Sequence, residues 1–169
     1  MSGSIPITAA GLRKLKEELK HLQTVERVKI SREIEVARAH GDLRENAEYH
    51  AAKEKQSHIE GRIMDLNDWI ARAEVVDVSK LSGDKVVFGA TVVLLDQETE
   101  EQKTYRIVGE LEADLKKGKI AITSPLARGL VGKSVGDTAV IQSPRGPREY
   151  EILEVRFEEE PEEGGDGEA

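Results

Sequence analysis

Ala52, Gln56, Ile59, Ile63, Leu66, Ile70 and Ala73 follow one another in steps of four, three, four, three, four and three residues. That spacing averages 3.5 residues, and an α-helix keeps all such positions on one side only by winding against a partner helix. An earlier run, Leu12, Leu15, Leu19 and Leu22, has the same rhythm and supplies the partner. After Leu22 the strict heptad is lost. Val25, Val28, Ile30, Ile34 and Ala37 keep one side partly apolar, so a local straightening of the supercoil is expected there. The pattern predicts helices over residues 9–40 and 44–74, with Thr8 as N-cap of the first although no acid stands three residues on. At about 1.5 Å per residue, two helices of about 30 residues make a rod roughly 45 Å long.

Gly41 is the only glycine between Gly11 and Gly61, and it stands where one pattern stops and the next starts. Glycine takes the left-handed conformation that closes a helix, so the two helices are expected to form an antiparallel hairpin with its tip near residues 41–48. The tip stretch, residues 40–54, reads HGDLRENAEYHAAKE. Asp42, Glu45 and Glu48 recur at three-residue spacing and gather carboxylates there. Asp-x-x-Glu before a helix is equally the pattern of a capping box, with Asp42 as N-cap and Glu45 reaching back, and acids at a helix start complement its dipole. Spacing does not separate these readings.

Carboxylates without histidine or cysteine partners suit a hard cation such as Mg²⁺, but two or three are too few to hold it alone. They can complete a site whose other ligands belong to another protein. His40 and His50 read as solvated. Arg38, Arg44 and Lys53 flank the acids, where they form surface ion pairs or contact the phosphates of a single strand. Tyr49 either stacks on a base or packs against the facing helix.

A solvated helical pair also explains a composition that is 34% charged and only 4% aromatic over 169 residues. The absence of cysteine excludes disulfides, thiolate metal sites and cysteine nucleophiles. No apolar run approaches the roughly 18–20 residues of a membrane span, and no signal-peptide core is present, so a cytoplasmic location without membrane association is expected. The net charge of −8 is uneven: residues 1–79 carry 13 basic and 14 acidic side chains, residues 80–157 carry 12 of each, and residues 158–169 carry seven acids and no base. Free duplex nucleic acid is therefore not the expected main partner.

Past residue 79 the pattern becomes β-rich. Strands are predicted at residues 86–95, with Gly89 marking a bulge, and at 103–108, 119–123, 138–142 and 149–157. A short helix over 125–131, capped by Ser124, precedes the turn at 132–136, and residues 144–147 close a final hairpin. Residues 158–169, acidic and without a large apolar side chain, are expected to be disordered. The chain thus divides into an antiparallel coiled coil at 1–79, a small β-rich domain at 80–157 and a tail at 158–169, an α+β protein.

The tip stretch, EGRI at 60–63, VVFGATVVLL at 86–95, TYRIVGE at 104–110 and SPLARGLVGK at 124–133 together resemble the bacterial Gre transcript-cleavage factors, most closely the GreA type. The resemblance covers nearly all of residues 5–157. It implies an FKBP-like second domain that docks on the rim of RNA polymerase, and a coiled coil that enters the secondary channel as far as the active site. The chain would then be no enzyme itself and hold no cofactor of its own. As a monomer it would assist Mg²⁺ held by the polymerase, which cleaves the nascent RNA 3′ end in backtracked, arrested complexes. By the same resemblance Asp42 and Glu45 assist metal and water, Arg38 and Lys53 contact RNA, Ser124, Pro125 and Leu126 dock on polymerase, and Asn46 and Tyr49 match the tip motif with weaker roles. Ser124-Pro125 also reads simply as a turn and helix cap. Prolyl isomerisation, the activity an FKBP fold suggests, needs an aromatic-lined pocket, and residues 80–157 offer only Phe88, Tyr105, Tyr150 and Phe157. The remaining alternative is a factor that blocks the same channel without stimulating cleavage.

Overall fold

The computed structural model describes residues 3–41 and 45–158. The chain is α+β, a helical hairpin followed by a β-rich part, and forms two compact units. The first is built on Leu12–Ala73, and the second joins Ser4–Gly11 to the chain from Glu74 onward.

In the hairpin, α1 (Ala9–His21) and α2 (Arg27–Arg38) are joined through a π-helical turn at Leu22–Glu26, and α3 (Ala47–Arg72) returns. The π turn accounts for the lost heptad. From Leu22 to Ile30 the seam advances eight residues, one more than a heptad, and a π turn absorbs one extra residue. Ile30, Ile34 and Ala37 are thereby buried in one line with Leu15, while Val25 and Val28, expected on the apolar side, are 39% and 44% exposed. On α3, Ala52, Ile59, Ile63 and Leu66 are buried as their spacing requires.

Charged pairs line the edges of the seam. Glu18 accepts from Arg62 at 2.7 and 2.9 Å, Glu60 accepts from Arg27 at 2.8 Å through both oxygens, and Glu33 pairs with Lys55 at 3.6 Å. As one partner's number rises the other's falls, as an antiparallel pair of helices requires. The EGRI motif is explained by two of these pairs, because Glu60 and Arg62 each reach a different residue of the facing strand of the hairpin. The hydrogen bond from Arg27 holds the Glu60 carboxyl below its ordinary value. Arg62 also lies 5.1 Å over the Trp69 ring.

The second unit contains β1 (Ile5–Thr8), paired with β2 (Ala73–Val76), and a five-stranded sheet of order β5-β4-β3-β7-β6. Its strands are β3 (Thr91–Asp96), β4 (Gln102–Val108), β5 (Lys119–Ala121), β6 (Thr138–Ser143) and β7 (Gly146–Arg156). All neighbours are antiparallel except β4 and β5. Val92, Leu94, Ile107, Ile141 and Ile152 form one buried face. Burying each such side chain fully contributes about 1.5–3 kcal/mol. Across that face lies α4 (Pro125–Leu130), and a Cβ at Gly129 would collide with Ile141 of β6.

The strand expected at 86–95 begins only at Thr91. Gly89, at φ +90°, sits in a turn ahead of it, and the Val86 amide bonds Lys133 at 2.8 Å instead of a ladder partner. The register shift of β3 falls at Val93 and Leu94, against β7. The strand expected at 119–123 stops at Ala121, because the chain turns there to bring Ser124 to the start of α4. Asp96, fully buried, takes hydrogen bonds from the Glu98 and Thr99 amides and pairs with Arg148. Burial pushes its carboxyl up, but Arg148 and the two amides outweigh that and leave it below its ordinary value.

Thr8 caps α1 as expected, accepting from the Gly11 amide at 3.0 Å. The acid of the cap comes from far along the chain. Glu112 accepts from the Thr8 amide at 3.0 Å, from the Thr8 hydroxyl and from the Gly109 amide at 3.0 Å. Gly11 occupies the position where a capping box would carry its own acid, and a Cβ there would strike the Glu112 side chain.

Candidate functional site

The tip of the hairpin begins where α2 ends. Arg38 is its last residue, and the His40 and Gly41 amides bond back to the Ala37 and Arg38 carbonyls at 3.1 and 3.3 Å. Gly41 has φ +113°, the positive-φ backbone that glycine adopts without strain. The first helix therefore ends two residues earlier than its pattern predicts.

The return helix starts later than expected, at Ala47, and its N-cap is Asn46 rather than Asp42. The Asn46 side-chain oxygen accepts from the Tyr49 amide at 3.0 Å, while its amide nitrogen donates to the Ala37 carbonyl at 2.6 Å. One side chain thus satisfies a free N–H of α3 and gives the Ala37 carbonyl, in the last turn of α2, a second donor beside the His40 amide. The capping-box reading of Asp42 and Glu45 is overturned, because both precede the residue that caps. Glu45, immediately before the cap, is exposed and has no capping role to occupy its carboxylate. Glu48 lies in the first turn of α3, where its charge complements the helix dipole.

Asp42 and Arg44 lie outside the described residues, as does the tail beyond Glu158. Arg38 and Lys53 are both exposed, and the Lys53 ammonium donates to Gln56 of its own helix at 3.1 Å. Tyr49 is half-buried against the seam formed by Ile30, Ile34 and Ala52, with its ring edge-on to His50 at 5.5 Å between centroids. Its ring packs against the facing helix with part of its surface still exposed. Ala37 and Ala52 face the seam, and beside them a groove opens between α2 and α3, edged by Val36 and Ala51. Among the described residues no three His, Asp or Glu side chains are placed to hold a metal ion. Glu45 offers hard oxygen, the donor type that Mg²⁺ prefers.

On the second unit, Ser124 caps α4, its hydroxyl accepting from the Ala127 amide at 3.2 Å, and Pro125 takes the first helical position. Pro125 is exposed, whereas Leu126 is half-buried against the core. Tyr105, Tyr150 and Phe157 likewise pack against that core.

One feature of the tip and one of the second unit escaped the sequence reading. Asn46 was visible as a capping residue type directly before the α3 pattern, but Asp42 competed for the same role. The reach of Glu112 to Thr8, 104 residues away, has no local signature beyond the glycine at position 11.

Residues 5–75 match the family model for the N-terminal part of transcription elongation factors GreA and GreB, and residues 81–157 match the model for their C-terminal part. The chain is 66% identical over 156 residues to transcription elongation factor GreA of Anaeromyxobacter sp. (strain K), covering 92% of this chain and 94% of that protein. It is 60% identical over 153 residues to GreA of Bartonella tribocorum, covering 90% and 98%. Among solved structures, GreA factor homolog 1 (Gfh1) of Thermus thermophilus is 26% identical, with a TM-score of 0.42 and coverage of 90% and 99%. With both parts of the family matched in order along one chain, this protein belongs to the GreA/GreB family of transcription elongation factors, GreA type.

Proposed function

We propose that the chain binds RNA polymerase through its secondary channel and stimulates the polymerase's own Mg²⁺-dependent cleavage of the nascent RNA 3′ end in backtracked complexes. It acts as an accessory factor, and the bond-breaking centre belongs to the polymerase. The observation that carries this reading is Glu45, an exposed carboxylate at the tip of a helical hairpin, free of the capping duty that would explain it otherwise.

In this reading Asp42 and Glu45 add oxygen ligands beside a Mg²⁺ already bound among phosphates. There the metal supplies Lewis-acid stabilisation and an activated water. Arg38, at the end of α2, and Lys53, on α3, present positive charge to the RNA backbone on either side of the acids. Ser124, Pro125 and Leu126 form the docking segment, with the cap of α4 fixing the exposed ring of Pro125. A balanced charge over residues 1–157 suffices, since docking is protein to protein and the RNA arrives already threaded.

The test is cleavage of a backtracked polymerase complex with wild type, Asp42→Asn and Glu45→Gln. Each variant is expected to bind polymerase as wild type does and to lose about 10²-fold or more of the stimulated rate. Wild-type rates from both variants would remove the acids from the mechanism. Tight binding by the wild-type chain without cleavage would establish the channel-blocking alternative.

A further inference from the structure

We infer that Asn46 is a positioning residue for the tip, bridging the two helix ends so that the neighbouring Glu45 is presented in one fixed place; the inference rests on the function proposed above. The bridge is made by one amide group used in both directions. Its oxygen accepts from Tyr49, the third residue of α3, and its nitrogen donates to Ala37, in the last turn of α2. Both partners sit on rigid parts of the hairpin. Ala37 is buried at 3% exposure, and Tyr49 packs against the same seam. The end of α2 and the start of α3 are thus tied by one side chain whose own position is determined from two sides, with Glu45 next to it in the chain.

The chemistry selects asparagine. A serine or threonine supplies an oxygen for the Tyr49 amide but is too short to reach the other helix as well. An aspartate caps as well as asparagine does, yet it has no N–H to offer and turns a carboxylate oxygen toward the Ala37 carbonyl. Capping and bridging can therefore be separated by exchanging a single atom type. Glu45 directly precedes Asn46, so loss of the bridge releases the carboxylate while the helix start survives. An error of about 1 Å at a reacting centre costs about 10²-fold in rate.

The experiment compares wild type, Asn46→Asp and Glu45→Gln as full-length chains in two measurements. In cleavage of a backtracked complex titrated with factor, Asn46→Asp is expected to lower the saturated rate by about tenfold or more and leave the half-saturating concentration within about twofold. In amide hydrogen exchange on the free chain, Asn46→Asp is expected to speed the His40 amide about fivefold or more, since the last turn of α2 is then no longer tied to α3 and opens more readily, and to leave the Tyr49 amide within about twofold. An unchanged His40 amide overturns the bridge. A faster His40 amide with an unchanged saturated rate overturns the positioning role. If wild type binds polymerase but stimulates no cleavage, the functional reading fails instead, and the exchange contrast still decides the bridge.

Discussion

Thr8 and Glu112 show how much a single residue can hide from its neighbours in sequence. The Thr8 cap was readable from the chain, but its acid was not, because a capping box is recognised by an acid three residues on and Gly11 stands there. The glycine is what the distant carboxylate requires, since any Cβ would occupy its place. Glu112→Ala leaves the Thr8 and Gly109 amides without their acceptor, and is expected to lower the unfolding free energy of the second unit by about 1–3 kcal/mol in a urea titration. Thr8→Ala on its own should cost about 1 kcal/mol, and the double variant less than the sum, because both changes remove the same contact. Asn46 teaches a similar lesson. Asp42 and Asn46 both stand before an apolar run and both cap well, and only three-dimensional structure shows which one the chain uses.

Among the elements, the buried face of α3 was legible, since an unbroken alternation of four and three leaves a helix one way to bury itself, although the helix starts three residues later and ends two earlier than its pattern predicts. The first helical pattern was legible as a helix but not in its register. A one-residue insertion reads in sequence as fading periodicity, and the chain answers with the π turn at Leu22–Glu26. Deleting Val25 should therefore remove the π turn, restore a plain heptad from Leu22 to Ile30 and leave the hairpin folded. Deleting Arg32 should instead carry Ile34 and Ala37 off the seam and lower the melting temperature by several degrees at least, as circular dichroism would show. Ile63→Ala should cost about 2–5 kcal/mol, whereas Val25→Ala, on the solvent side, should stay within about 0.5 kcal/mol. The pair of Arg27 and Glu60 adds a dependence on acid. Since the Glu60 carboxyl is held below its ordinary 4.5, its contribution is complete above that pH and is lost as pH falls through the lowered value. Glu60→Gln should flatten the hairpin's thermal stability over that interval, which melting curves between pH 7 and pH 3 would reveal. In the sheet, the early part of the run at 86–95 looked like strand because it is apolar. Gly89 and the bond from Val86 to Lys133 divert it before pairing begins.

For the molecule as a whole, the two-part plan was visible in the change from helical to alternating periodicity, and the functional reading followed from motifs distributed over both parts. If the α4 segment docks on polymerase, Pro125→Arg, at an exposed first helical position that tolerates exchange, should weaken competition with wild-type factor for polymerase about tenfold and leave the fold intact. Equal competition would move the docking surface elsewhere. What the sequence concealed is that the units are not consecutive: Ser4–Gly11 belongs with the chain after Glu74, and the hairpin is inserted between them. A fragment starting at residue 80 therefore lacks β1, and should melt below the intact chain in differential scanning calorimetry. During synthesis the opening strand is made more than a hundred residues before Glu112 exists to hold it. The hairpin, made of contacts near in sequence, can fold during that wait, whereas the β-rich unit must recapture its own beginning at the end of translation.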